Sequence, residues 1–94
     1  MLGAPALMAQ TRVISGTVSS SVEGEGVMPG VTVMVKGTSV GSLTDADGKY
    51  SIQAPASATT MVFSFIGMKP QEIEIAGRSV IDCLMESDVV GLDE

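Results

Sequence analysis

Residues 28–38 read MPGVTVMVKGT, and the alternation inside this stretch decides the fold. Val31, Val33 and Val35 share one side of an extended chain, because successive side chains of a strand point to opposite faces. Proline and glycine precede the alternation and a second glycine comes after it, which indicates a tight turn at each end. The stretch therefore predicts a strand over residues 31–36 with one buried face.

Similar short alternations recur along the chain, separated by Gly, Pro, Ser and Asp at intervals of roughly 8–12 residues, a spacing typical of an all-β sandwich. Both faces of residues 60–66 are largely apolar, so we expect that strand to be central. No window shows sustained helical periodicity. The chain predicts seven strands, over residues 12–18, 31–36, 39–44, 50–53, 60–66, 72–75 and 79–85.

Composition narrows the function classes. The chain has 94 residues, of which 45% are hydrophobic and 17% charged, as in one globular domain. It contains no histidine and one cysteine, which excludes histidine-based catalysis, histidine or multi-thiolate metal sites and an internal disulfide. A net charge of −6 with only five Lys and Arg residues argues against nucleic acid as a partner. The composition favours a binding, scaffolding or docking module.

Three groups of residues call for a chemical interpretation. Asp45 and Asp47 precede Gly48 as in half of a calcium loop, but the twelfth position is Ala56 instead of glutamate, so we expect an Asx-turn. Glu72 and Glu74 are two apart on a strand and share its solvent face. Cys83 alternates with Ile81 and Met85 on an inward face, which predicts a buried thiol. We therefore expect no catalytic, cofactor-binding or metal-binding residue, and no cofactor.

Four blocks of sequence together resemble a known family. They are residues 14–18 (ISGTV), 28–38 (MPGVTVMVKGT), 41–52 (GSLTDADGKYSI) and 62–68 (VFSFIGM). In this order they are similar to the carboxypeptidase-regulatory-like domain at the N-terminus of SusC/RagA-type TonB-dependent outer-membrane transporters of Bacteroidota. The chain departs from that pattern at Met28, where the family has leucine, and at Met68, where it has tyrosine. The resemblance implies an all-β, seven-stranded, Greek-key, transthyretin-like sandwich.

The resemblance also implies a role. Such a domain would be a non-catalytic accessory on the periplasmic side of the outer membrane, in an importer of a nutrient such as a glycan or peptide. Its partners would be the plug and barrel of the same transporter, and through them TonB and a SusD-like lipoprotein. Two alternatives stay open: a transthyretin-like structural or interaction module of a secreted carboxypeptidase or surface protein, and an independent small-ligand or oligomeric binding protein.

The chain divides into three parts. Residues 1–10 are apolar and small and resemble a signal-peptide remnant or a leader. The resemblance implies that residues 11–87 form the carboxypeptidase-regulatory-like sandwich. Residues 88–94 are expected to be a linker towards a TonB box that lies beyond the chain. We expect this linker to be mobile, and the alternative is a terminal strand extended through Val89 and Val90.

Overall fold

The structure, a computed structural model, describes residues 11–87, which form seven strands and no helix. Accordingly, nothing in this range is a helix long and apolar enough to cross a membrane. The sequence predictions for residues 1–10 and 88–94 lie outside the described residues. The strands are β1 (Thr11–Ser20), β2 (Thr32–Val35), β3 (Gly41–Leu43), β4 (Lys49–Pro55), β5 (Thr60–Ser64), β6 (Gln71–Glu74) and β7 (Cys83–Met85).

The strands form two sheets. One has the order β4-β1-β7, with β1 antiparallel to β4 and parallel to β7. The other has the order β3-β2-β5-β6 and is antiparallel throughout. The all-β class and the seven strands are confirmed, and β5 lies between two neighbours as its apolar faces predicted. The Greek-key order stays a prediction.

The core lies between the inward faces of the two sheets. Val31, Val33 and Val35 are fully buried, as the alternation of the deciding stretch predicted. The ring of Phe63 on β5 meets the ring of Tyr50 on β4 edge-on, with 5.5 Å between centroids. Phe63 is fully buried, and the other fully buried side chains of the described residues are Ile14, Val18, Ala54, Met61, Ile75, Ile81 and Met85. Because these residues come from both sheets, burial of one apolar layer holds the sandwich together.

Each of the seven strands differs from the sequence prediction by one to four residues at one or both limits, and three of these differences have a visible physical cause. β1 continues to Ser20, because its last three residues pair with β7. β5 ends at Ser64, since the next residues form a turn in which the N–H of Met68 donates to the oxygen of Phe65. β7 begins at Cys83 instead of Ser79, because before it the chain makes only an isolated bridge to β1.

Gly16 on β1 lets the segment before β7 pass very close to the β1 backbone at Ile81. A Cβ at that position would lie 1.9 Å from the backbone oxygen of Ile81, which leaves no room for any side chain. The same oxygen accepts a hydrogen bond of 2.6 Å from the buried hydroxyl of Tyr50. The N–H of Ile81 donates to the oxygen of Ser15. Glycine here is therefore required by close backbone approach.

Candidate interaction surfaces

The Asp45–Gly48 turn uses its carboxylate to hold its own backbone. Oδ1 of Asp45 accepts hydrogen bonds of 2.9 Å from the N–H groups of Asp47 and Lys49. These two donors, that of Lys49 first, hold the pKa of the Asp45 carboxyl below its usual value. Gly48 closes the turn at a φ of 75°. The arrangement is an Asx-turn, and no group of three or more potential metal ligands occurs within residues 11–87.

The paired glutamates of β6 lie on the solvent side of their sheet. Glu72 and Glu74 are both exposed, while Ile73 between them packs against the core. Lys36 follows β2 and reaches across β5, so that its Nζ lies 2.9 Å from Oε1 of Glu72. Exposed pairs of this kind contribute little to stability. The two carboxylates therefore form a solvated face.

Cys83 and Tyr50 carry the buried protonatable groups of the described residues. Burial raises the pKa of the Cys83 thiol to about 11, and its sulfur lies 3.7 Å from the sulfur of Met85. Burial, with a smaller effect of the Asp82 charge, raises the pKa of Tyr50 well above its ordinary value. Both groups stay protonated at neutral pH, so neither is an activated nucleophile or base. Sequence reasoning missed the role of Tyr50, although one aromatic at an inward strand position was the available signal.

One end of the sandwich, which we call the entry end, lies where β1 begins. Arg12 is on the inward side of β1, and its Nε is buried without a hydrogen-bond partner among the described residues. At the same end, Ala76 has a positive φ of 49°, which is unusual for a residue other than glycine. These features border an open cleft of about 380 Å³, lined by Arg12, Ala58, Thr59, Glu74, Ala76 and Gly77.

The opposite end, which we call the exit end, lies where β1 and β7 finish. It carries an apolar cleft of about 360 Å³ lined by Glu25, Val27, Met28, Pro29 and Phe65. Next to it, Ile66 is 89% exposed at the corner of the turn after β5. The entry cleft combines the polar side chains of Arg12, Thr59 and Glu74 with alanine and glycine. The exit end instead offers apolar contact surface.

Two sheets around one apolar core, with a cleft at each end, define a small β-sandwich module. The chain belongs to the family of the carboxypeptidase-regulatory-like domain, because the family model described as CarboxypepD_reg-like domain matches residues 14–94. This confirms the resemblance drawn from the four sequence blocks.

Several proteins that are similar to this chain are TonB-dependent receptors. The chain is 38% identical over 86 residues to TonB-dependent receptor P3 of Formosa agariphila, covering 92% of this chain and 8% of that protein. It is 43% identical over 77 residues to receptor P26 of the same organism, covering 82% and 7%. It is 37% identical over 86 residues to TonB-dependent receptor SusC of Bacteroides thetaiotaomicron, covering 92% and 8%. The chain thus spans less than a tenth of each relative.

Solved structures support the fold. Two chains from mutant type II cohesin–X–dockerin complexes of Acetivibrio cellulolyticus superpose with TM-scores of 0.68 and 0.65. They are 21% and 22% identical to this chain, and the matches cover 81% and 79% of it and 58% and 56% of those chains. At this identity the likeness concerns the β fold alone.

Proposed function

We propose that this chain is the N-terminal accessory domain of a TonB-dependent importer and lies on the periplasmic side of the outer membrane. The observation that carries the proposal is the pattern of coverage. The match to SusC extends over 92% of this chain but only 8% of that receptor, so the chain corresponds to one module of a much longer protein. The nutrient, a glycan or peptide, would be bound by other parts of the importer.

The domain acts without catalysis in this proposal. The carboxylate of Asp45 is engaged by backbone N–H groups, and the Cys83 thiol is buried with a raised pKa. The exposed Glu72 carboxylate is paired with Lys36. Catalysis at neutral pH needs a nucleophile or base in an accessible, activated state, and these groups are not in one. We expect peptidase and glycosidase assays of the purified chain to give background rates.

The proposed task is to place a folded element directly before the linker and TonB box. The plug and barrel of the same receptor would be its covalent partners, and TonB and a SusD-like lipoprotein would be reached through them. A module that occupies this position affects assembly or the presentation of the box, while the choice of nutrient stays with the barrel. The fold suits that task, because its buried core keeps it rigid beside a linker.

Deletion of residues 11–87 from the full-length receptor tests the proposal. We expect less receptor in the outer membrane or slower import, with unchanged preference among competing nutrients. Glu23→Ala in the intact receptor is the matched control, since that side chain is exposed and lines neither cleft, and it should import like the wild type. A changed nutrient preference after the deletion would contradict the accessory role. Normal receptor level together with normal import would contradict it as well.

A further inference from the structure

The longest strand at the edge of a sheet is β4. The edge strands are β4 and β7 in one sheet and β3 and β6 in the other. β3 and β7 have three residues each and β6 has four, whereas β4 has seven. β6 also carries two exposed glutamates, which oppose pairing with a further strand. Between Lys49 and Pro55, β4 has no charged residue, so its edge is the most open to a further strand.

The hydrogen bonds of β1 show which backbone groups of β4 face outward. The N–H and the oxygen of Ser15 both bond to residues 79–81, on the side away from β4. Because the direction of the backbone groups alternates along a strand, Ser15 and its register partner Ser51 form a non-hydrogen-bonded pair. The N–H and C=O groups of Ser51 therefore point away from β1, and so do those of Gln53, two residues further along β4.

These outward groups have no hydrogen-bond partner among residues 11–87. Ser51 and Gln53 take part in no backbone hydrogen bond outside the ladder with β1, and both residues are exposed. The positions that flank them cannot extend the free edge. Both backbone groups of Lys49 are bonded to Asp45, and Pro55 has no N–H. The free edge of β4 thus consists of the N–H and C=O groups of two residues.

We propose that β4 pairs antiparallel with β4 of a second copy of this chain, about a two-fold axis at Ile52. Ser51 of each copy then lies opposite Gln53 of the other, and the two residues of each pair exchange both of their N–H···O=C hydrogen bonds. Every free backbone group of both edges is used. Because the pairing occupies the β4 edge of both copies, it closes at a dimer.

The neighbouring registers of the same pairing satisfy fewer groups. An axis at Gln53 would place Ser51 opposite Pro55, which has no N–H to donate. An axis at Ser51 would place Gln53 opposite Lys49, whose backbone groups are already bonded. The axis at Ile52 is therefore favoured by the hydrogen bonds alone.

The side chains are compatible with this register. On the outer face, Ser51 and Gln53 are neutral polar residues, which can hydrogen-bond across the two strands. On the inner face, Ile52 is buried and lies beside its equivalent at the edge of the two cores. The chain has a net charge of −6, but residues 50–55 carry no charge, so no like charges lie opposite each other in this register.

The pairing is a property of the chain itself and goes beyond the proposed function. It is measured on the purified chain, whereas the accessory role is measured by import through the full-length receptor. Each proposal can therefore fail without the other.

Sedimentation velocity of the purified chain tests the pairing. We expect a transition from monomer to dimer between about 10 μM and about 1 mM, the range for a small interface with few hydrogen bonds. Gln53→Pro should weaken the dimer by at least about tenfold, because one N–H donor per copy is lost. Gln53→Ala is the matched control, since it keeps the backbone donor, and it should dimerise like the wild type. Far-ultraviolet circular dichroism shows whether both variants are folded.

Two double variants test the register through exposed side chains. Ser51→Lys with Gln53→Lys sets lysine opposite lysine in both pairs and should abolish the dimer. Ser51→Glu with Gln53→Lys sets glutamate opposite lysine in both pairs and should keep it. With the axis at Ser51 or at Gln53, the second variant would instead set like charges opposite each other. Loss of the dimer in that variant would overturn the proposed register.

Amide hydrogen exchange locates the interface. Protection of the Ser51 and Gln53 N–H groups should rise with protein concentration, while that of Glu72 on the edge strand β6 stays constant. A chain that remains monomeric up to about 1 mM would overturn the proposal and leave the β4 edge to a strand of another protein. A dimer that persists in folded Gln53→Pro, or concentration-dependent protection confined to another edge, would overturn it as well.

Discussion

Replacing Phe63 with alanine tests the placement of the core. The side chain is fully buried on β5, and its ring packs edge-on against Tyr50 at 5.5 Å. Loss of a buried phenylalanine side chain costs about 3–5 kcal/mol, which includes a share of about 0.5–1.5 kcal/mol for the aromatic pair. A domain of this size has a free energy of unfolding of about 5–10 kcal/mol. The variant should therefore lose between about a third and all of that free energy of unfolding.

Urea unfolding followed by far-ultraviolet circular dichroism measures the effect. With a slope of about 1.5 kcal/mol/M, the loss corresponds to a midpoint lower by about 2–3 M. Phe63→Leu retains most of the apolar volume and should lie between the wild type and Phe63→Ala. Glu74→Ala on the adjacent strand is the matched control, because its side chain is exposed, and it should change the free energy by no more than about 0.5 kcal/mol.

The reverse order of the two midpoints would refute the reasoning. Side chains of a strand alternate between faces, so a slip of one residue in β5 would move Phe63 from the core to the outside. Phe63 pairs with Val33 of β2 and with Gln71 of β6. Such a slip would therefore break the register on both sides of the strand.

Single contacts support four further predictions. Gly16→Ala should lower the free energy of unfolding by about 3 kcal/mol, because its Cβ would meet the oxygen of Ile81, and urea midpoints measure this. Ala76→Gly should raise the free energy of unfolding by about 0.5–1 kcal/mol, because glycine adopts a positive φ without strain. A lower urea midpoint would contradict the expectation that Ala76 is strained. Cys83 should react with a thiol reagent at about pH 8 only as fast as the chain unfolds, and rapid labelling of the folded chain would contradict its burial. The folded-state pKa of Asp45 lies below its ordinary value, so its stabilisation is present above about pH 4 and lost as the pH falls through the folded pKa. Asp45→Asn should therefore show a smaller decrease in urea midpoint from about pH 5 to about pH 2 than the wild type.

Alternation was sufficient to predict much of the fold. Where one face of a strand is buried, its period of two appears directly in the sequence, as at Val31, Val33 and Val35. The Asx-turn at Asp45 was predictable for a similar reason, because its hydrogen bonds reach only two and four residues along the chain. Features determined by neighbours in sequence are thus readable from one sequence.

Contacts between distant parts of the chain were not predictable in this way. The hydroxyl of Tyr50 binds the oxygen of Ile81, and Gly16 is required by that same oxygen, although nothing in the local sequence joins these residues. The parallel pairing of β1 with β7 joins Val18 to Cys83, which lie far apart in the chain. Pairing over such a separation depends on how the two sheets pack, which local propensity does not encode.

The two clefts could not be predicted from the sequence for the same reason. Their positions bear on the proposed function. β1 begins at the entry end beside Arg12 and finishes at the exit end, where Ser20 pairs with Met85. Ten residues of strand extend about 30 Å, so the described chain enters at one end of the sandwich and leaves at the other. A rigid element with this geometry holds Thr11 and Ser87 at a fixed distance from each other. In the proposed accessory role the domain would need no reactive group, because this spacing would itself determine where the predicted linker starts.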